Sequence, residues 1–554
     1  MKKLTATEWL EEINDGLNYR RLYGMEDAWN SLEQTFYNVD QEKRRAAGPN
    51  LIASTGDSML SALTVSYPYF NVKPRRGEFI DSAGLVESID NWLLTELKIP
   101  QAMERSINHA YLWGKGILKI GYDSQFGYDS RNDIDKGMGL TLTQFDKKGR
   151  WIENGKNDPG MPWVSSVLPH DIVVPWGTTD LNDAAWLAHR VVRHINDIKS
   201  DPKYKKATGL KPQMSLQDFT ESYTKTSKIY NIGQNLTRPN GDRKNAEYVE
   251  MYEIHFKKDR KILVVAPGYE KFLRETVNEL QLDGLPFVDL SFVPRTRAFW
   301  TTPDAYYLKN AQAEMDDIAL QAATQRRISV VKFLYQKGSI KEEDLERALS
   351  SDTGIGIGVE PGTPIKEAIA MMHNENQSSL YQDAEVIRRN AREIAGLSRN
   401  QGGEFEGGRK TAEEVRTVDR GSMSRLSRRQ NILRLAYQDV IKKINQIIFK
   451  FWKQPRIIEY VGQDEVQKWL EYTGESIRGD YSYEIVFGDE ILPTQGNDKN
   501  ETLQMYAQLA SDPSIDPIEL RQYLAASSND PSFKKLFKVQ QIQKGQEQNA
   551  PLPI

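Results

Sequence analysis

Gln401-Gly-Gly-Glu-Phe-Glu-Gly-Gly-Arg-Lys410 runs straight into Thr411-Ala-Glu-Glu414, and this junction divides the most regular stretch of the chain. Four glycines fall within the seven positions from Gly402 to Gly408, a density that breaks helix and strand alike. Thr411 with Glu414 three residues on forms a capping box, so a helix opens there and its pattern lasts to about Phe451. Upstream, Leu380, Ala384, Ile387, Ala391 and Ile394 recur in steps of three and four, which lays one apolar stripe along a helix. Leu308, Ala311, Met315, Ile318 and Ala322 do the same after Pro303 and a start at Asp304. A compact insert separates these two helices, with a strand-like run at Gly354-Ile-Gly-Ile-Gly-Val359. Asp304 to Lys453 thus reads as helix, insert, helix, glycine-rich break and long helix. Such a stalk buries little alone, and its stripes need neighbours, most economically copies of itself in a ring.

At 554 residues, length predicts three or four domains. A hydrophobic content of 39% and a charged content of 27% are ordinary for folded chains, which argues against wholesale disorder. The absence of cysteine excludes disulfides and thiol chemistry. No apolar run approaches the ~20 residues of a membrane helix. Met1-Lys-Lys-Leu-Thr-Ala6 soon meets Glu8, Glu11 and Glu12, so no signal peptide is expected. A net charge of −4 gives no global attraction to nucleic acid, so such contact has to come from local patches.

In chain order, residues 1 to about 110 read as helical, with a stripe at Leu10, Ile13, Leu17 and Leu22 and another at Trp29, Leu32 and Phe36. Tyr67-Pro-Tyr-Phe-Asn-Val-Lys-Pro74 interrupts them as an extended edge segment. From Gly114 the period becomes two. Strands are expected at Gly114–Asp123, around Trp163–Trp176, at Trp186–His194, Tyr248–Phe256, Lys261–Val265 and Leu285–Phe292. Residues 126–162, with one alternating run at Leu140–Phe145, and 196–246 are polar and read as surface excursions. Arg456–Val461 and Tyr481–Phe487 are two later strands that could rejoin the earlier sheet, and a polar helical tail follows Pro493. Helices mixed with mostly local strands give the class α+β.

The chemistry is marked by absences. No G-x-x-x-x-G-K-[ST] loop is present, which disfavours an ATP-driven motor of that class. Gly354, Gly356 and Gly358 fail as a dinucleotide fingerprint, because the third glycine is one position early and Glu360-Pro361 stands where a helix should open. No H-E-x-x-H or G-x-S-x-G occurs, and His189 and His194 fall on opposite sides of a strand. The paired acids Asp316-Asp317 and Glu413-Glu414 point in different directions around their helices. One feature is segregated: Arg409 to Arg456 holds thirteen bases against four acids, an excess of nine in a chain whose total is negative. That excess suits either a solvated helix face pairing with acids of a neighbouring copy, or contact with phosphate through point charges.

The chain resembles the portal proteins, or head-to-tail connectors, of tailed double-stranded DNA phages, especially the podovirus-like ones. The resemblance is one of pattern over nearly the whole chain. It rests on Pro49-Asn-Leu-Ile52, Tyr67–Pro74, Ala110-Tyr-Leu-Trp-Gly-Lys-Gly-Ile-Leu-Lys-Ile-Gly-Tyr-Asp123, Leu168-Pro-His-Asp-Ile-Val-Val-Pro175 and Arg409-Lys-Thr-Ala-Glu-Glu-Val415 after the helix-insert-helix. It implies a wing over 1–303, a first stem helix at 304–335, a clip at 336–374 and a second stem helix at 375–398. A tunnel loop at 399–410, a long wing helix with returning strands at 411–495, and a helical crown with a disordered tail at 496–554 complete it. The loop would line a DNA channel with Arg399, Gly402, Gly403, Glu404, Phe405, Glu406, Gly407, Gly408, Arg409 and Lys410. The resemblance further implies a ring, usually of twelve copies, at one capsid vertex of the virion. The expected partners are non-specifically held double-stranded DNA, the large terminase, major capsid and scaffolding proteins and a head-tail adaptor. No membrane, cofactor, metal or catalytic activity is expected. A soluble helical adaptor without a channel is the competing reading, distinguished by a monomeric state in solution.

Overall fold

The computed structural model describes residues 4–24, 26–38, 48–64, 68–123, 144–145, 151–152, 160–201, 203–204, 207–212, 247–328, 332–335, 343, 369–372, 379–395, 412–453, 455–461 and 467–487. Helices α1 (Ala6–Gly24), α2 (Glu26–Phe36) and α3 (Leu51–Thr64) lead to strand β1 (Pro68–Pro74), then α4 (Ile80–Glu96) and α5 (Ile99–Trp113). There follow β2 (Gly116–Asp123), the short pair β3 (Gln144–Phe145) and β4 (Trp151–Ile152), β5 (Met161–Val167), β6 (Ile172–Val173) and β7 (Trp186–His194). Next come β8 (Tyr248–Phe256), β9 (Lys261–Val265), β10 (Arg274–Val277) and β11 (Phe287–Leu290). A single turn, Asp304–Tyr307, opens the first stalk helix, Lys309–Ile328, which leads to β12 (Lys332–Tyr335). β13 (Ile369–Met372), the second stalk helix Ser379–Ala395 and the long helix Ala412–Phe451 follow, then β14 (Arg456–Val461), β15 (Gln467–Tyr472) and β16 (Tyr481–Phe487). The class is α+β, and the chain divides into two compact units, Met1–Leu63 with Gln101–Gln454, and Thr64–Pro100 with Pro455–Ile554.

In the larger unit, an antiparallel five-stranded sheet runs β10-β9-β8-β7-β6, and a three-stranded sheet runs β11-β2-β5. One face of the larger sheet, through Ala188, Tyr252 and Ile254, packs on Trp9 and Ile13 of α1. The opposite face, through Val249 and Met251, packs on Ile195, Ile198, Tyr204, Ala207 and Leu210. The polar stretch after His194 therefore begins as core: a short helix, Ile195–Ser200, and three apolar residues close the sheet, and 202, 205–206 and 213–246 lie outside the described residues. Its few apolar residues were hidden by the polar ones around them. The stripe on α1 is also shifted: Trp9, Ile13, Gly16 and Tyr19 are buried, whereas Leu22 is 64% exposed. Gly16 is there because a Cβ would meet Val173 Cγ1 at 2.4 Å.

The long helix ends at Phe451, where its sequence pattern ends. Leu433, Ala436, Tyr437, Val440, Ile444, Ile447 and Ile448 are buried at steps of three and four, and this stripe covers β11, β2 and β5. Trp452 donates its indole N–H to the Gly160 carbonyl (3.2 Å) and Tyr122 stacks on Phe451, fixing the end of the helix on the sheet.

The entry to β2 needs glycine twice. Gly114 has φ +81°, and a Cβ on it would lie 2.4 Å from the Thr301 carbonyl oxygen. Gly116 has no such torsion, but a Cβ there would lie 2.2 Å from the Ser106 carbonyl oxygen. Gly116→Ala should therefore cost about 2–3 kcal/mol, read as a lower urea midpoint at unchanged slope.

The smaller unit pairs β1 with β16 over all seven positions, Pro68↔Phe487 to Pro74↔Tyr481. Both prolines sit at the ends of the strand, as an edge requires. Among the described residues Arg456–Val461 joins no earlier strand; it pairs with Gln467–Tyr472, a strand absent from the sequence-based expectation, and β14 packs on α4. Asn91 on α4 completes the edge of β1 by donating to the Phe70 carbonyl (2.9 Å) and accepting from its N–H (2.8 Å).

Candidate functional site at the root of the stalk

The two stalk helices pack side by side, and β12 pairs antiparallel with β13 in the register Lys332↔Met372 to Tyr335↔Ile369. The chain thus leaves along one helix and returns along the other, with the ends of the insert closed into a strand pair. Gly354–Val359 and the rest of the insert lie outside the described residues, as do all of Arg399, Gly402, Gly403, Glu404, Phe405, Glu406, Gly407, Gly408, Arg409 and Lys410, and the tail from 488 on. On the second helix Leu380 and Ala391 are buried and Ala384 and Ile387 half-buried, so the stripe faces its partner. Ile394, its last member, is 50% exposed.

The root is tied down by side chains that no motif announces. Gln312 is 3% exposed; its carbonyl oxygen accepts from the Leu51 N–H (2.7 Å) and its amide donates to the Pro49 carbonyl (3.2 Å). Asp316 accepts from the Gly48 N–H (3.1 Å) and from Gln312 (2.9 Å), while its neighbour Asp317 turns to Gln321 (2.9 Å). Asn50 caps α3 by accepting from the Ala53 N–H (3.0 Å) and donates to the Thr35 carbonyl (2.6 Å). Pro49-Asn-Leu-Ile52 is therefore the socket of the first stalk helix. Tyr111 of α5 donates to the Ile52 carbonyl (2.7 Å), and burial pushes its hydroxyl far above the usual phenol range. Asp304 does not cap its own helix. It pairs with Arg429 of the long helix (2.9 Å), both largely buried, and burial raises its carboxyl while Arg429 opposes the rise.

Leu168–Pro175 is a second joint. Arg20, 5% exposed, donates to the carbonyls of Pro169 (3.2 Å), His170 (2.6 Å) and Ile172 (2.9 Å) and holds Glu26 with two nitrogens. Its guanidinium also lies over the rings of Trp29 and Trp300. A third joint links the two sheets. Lys119 of β2 donates to Glu253 of β8 (2.8 Å) and to Nδ1 of His189 (3.0 Å), which fixes that imidazole as a neutral acceptor. His255 Nε2 stands 3.9 Å from the same carboxylate, too far for a hydrogen bond. Burial alone would raise the Glu253 carboxyl; the Lys119 ammonium beside it holds it well below the usual range. Its signal was visible in part: Glu253 and His255 share the strand face of Val249 and Met251. His194, on the other side of β7 from His189, instead meets Glu247 (3.2 Å).

The basic excess is partly absorbed by the fold. Arg429 holds Asp304, Lys443 donates to the Leu285 carbonyl (2.7 Å) and Lys450 to the Glu279 carbonyl (2.5 Å), so these three clamp the long helix to its surroundings. Arg428, Lys442 and Lys453 are exposed, and the side chains of Arg416, Arg420 and Arg425 lie outside the described residues. Among the described residues no group of three or more His, Asp or Glu could hold a metal ion, and no helix is long and apolar enough to cross a membrane.

No family model and no curated protein matches the chain. Among solved structures it aligns with a chain from the virion of a native gene transfer agent particle, at 9% identity and a TM-score of 0.38, over 90% of this chain and 93% of that one.

Proposed function

We propose that this chain is the portal subunit of a tailed-phage head, a ring-forming structural protein of the virion that sits at one capsid vertex and passes double-stranded DNA during packaging and ejection. The observation that carries the reading is the helix pair that leaves the α+β body, closes its insert with β12 and β13, returns, and is followed by a 40-residue helix packed back on the sheet. In this reading, 304–335 and 375–398 are the stem, 336–374 the clip, and Arg399 to Lys410 the loop facing the channel. Glu404 and Glu406 repel phosphate there while Arg409 and Lys410 attract it, a mix that suits sliding better than holding. Terminase, capsid, scaffolding and adaptor proteins are the partners the role requires, and the chain itself needs no catalytic group.

Mass measurement tests the assembly: twelve copies of 63.4 kDa give roughly 760 kDa, and a 63.4 kDa monomer would favour a helical adaptor instead. The loop has its own test. Gly403→Pro with Gly407→Pro fixes two backbone torsions and removes two amide donors. Rings should form at wild-type yield while DNA packaged per assembled prohead falls; normal packaging would remove the loop from the mechanism.

A further inference from the structure

The root of the stalk brings together elements that are far apart in sequence. Thr55 and Met59 of α3, Tyr111 of α5, Tyr307 at the start of the first stalk helix, and Ile394 at the end of the second line one small cleft with Asp304 and Arg429. The second stalk helix stops at Ala395, on this cleft, while the long helix begins at Ala412, 17 residues before Arg429. At ~1.5 Å per residue that places the first turn of the long helix ~25 Å along its axis from the pair. The last turn of the second stalk helix therefore borders the cleft in which the ion pair ties the opening turn of the first to the middle of the long helix. Asp304 and Arg429 are 11% and 16% exposed, and the guanidinium also lies over the Phe292 ring at 5.5 Å. Unlike Lys119–Glu253, which joins two strands, this pair joins two helical elements.

We infer that the Asp304–Arg429 pair couples the stalk to the long helix, holding the end of the second stalk helix against it so that the two move as one body. The inference rests on the geometry of the root and stands whether or not the chain forms a ring. Hydrogen exchange in the purified full-length protein reads it directly. Arg429→Met alone strands the Asp304 carboxyl and should lower Tm and speed exchange broadly. The decisive variant combines Asp304→Asn with Arg429→Met, which removes both charges and should recover most of the lost Tm. Coupling predicts that amides of 379–395 still exchange at least tenfold faster than in the wild type, with the five-stranded sheet unchanged. Exchange at 379–395 returning to the wild-type rate as Tm recovers would overturn the inference. Arg429→Lys keeps a cation beside Asp304 and should hold exchange within threefold of wild type; a tenfold acceleration there would equally overturn it.

Discussion

Glu253→Ala should lower the unfolding free energy by about 3–5 kcal/mol, the cost of stranding one partner of a buried pair. Lys119 and Glu253 are 15% and 12% exposed, and they join β2 of one sheet to β8 of the other. With the carboxylate gone, the Lys119 ammonium keeps, among the described residues, His189 Nδ1 and the face of Phe287, 5.7 Å from the ring centroid. The double change Lys119→Met with Glu253→Leu removes the charge along with its partner and should be milder than Glu253→Ala alone. Urea unfolding measures both. A single variant within about 0.5 kcal/mol of wild type would mean that the pair is hydrated in solution and joins nothing.

Acid should destabilise the chain through a different set of groups. His255 is buried and His109 and His170 half-buried, and loss of water around the rings first of all lowers the imidazoles of His109, His170 and His255 to about 4, about 3 and about 4. Nearby cations push the same way, Arg105 on His109, Arg20 on His170 and Lys119 on His255. In the unfolded chain each imidazole takes up a proton near pH 6.5, whereas in the folded chain it stays neutral down to these lower values. Unfolding therefore binds protons between about pH 6.5 and 4, and stability falls as pH falls through that window. Above pH 6.5 the three have no effect. Three such groups together are worth on the order of several kcal/mol by pH 4. Tm scans from pH 7.5 to 4 check this, and His255→Phe should flatten part of the fall. A Tm that holds steady down to pH 4.5 would contradict the burial of these side chains.

The elements whose periodicity runs long were legible in the sequence, and the joints between them were not. The long helix was read from Thr411 to Phe451 because a capping box and an unbroken stripe mark it locally; β7 and β8 were read from alternation alone. Gln467–Tyr472 was missed because Lys468 and Glu471 break its alternation, and its partner β14 supplies the reason to be a strand. Ile195–Leu210 was missed because five apolar residues are spread among polar neighbours and only the sheet brings them together. Arg20, Lys119, Gln312 and Asp304 carry no signal that tells a buried anchor from a surface polar group, since the Pro169 carbonyl, Glu253, the Leu51 N–H and Arg429 that anchor them each lie 100 or more residues away. The glycine-rich loop was the reverse case: composition singles it out, while it lies outside the described residues.

Electron microscopy of the purified protein tests the central reading most directly. The account predicts rings of identical copies around an axial hole, with the paired stalk helices of successive copies side by side about the axis. Particles of a single chain, or compact dimers with no opening, would contradict it.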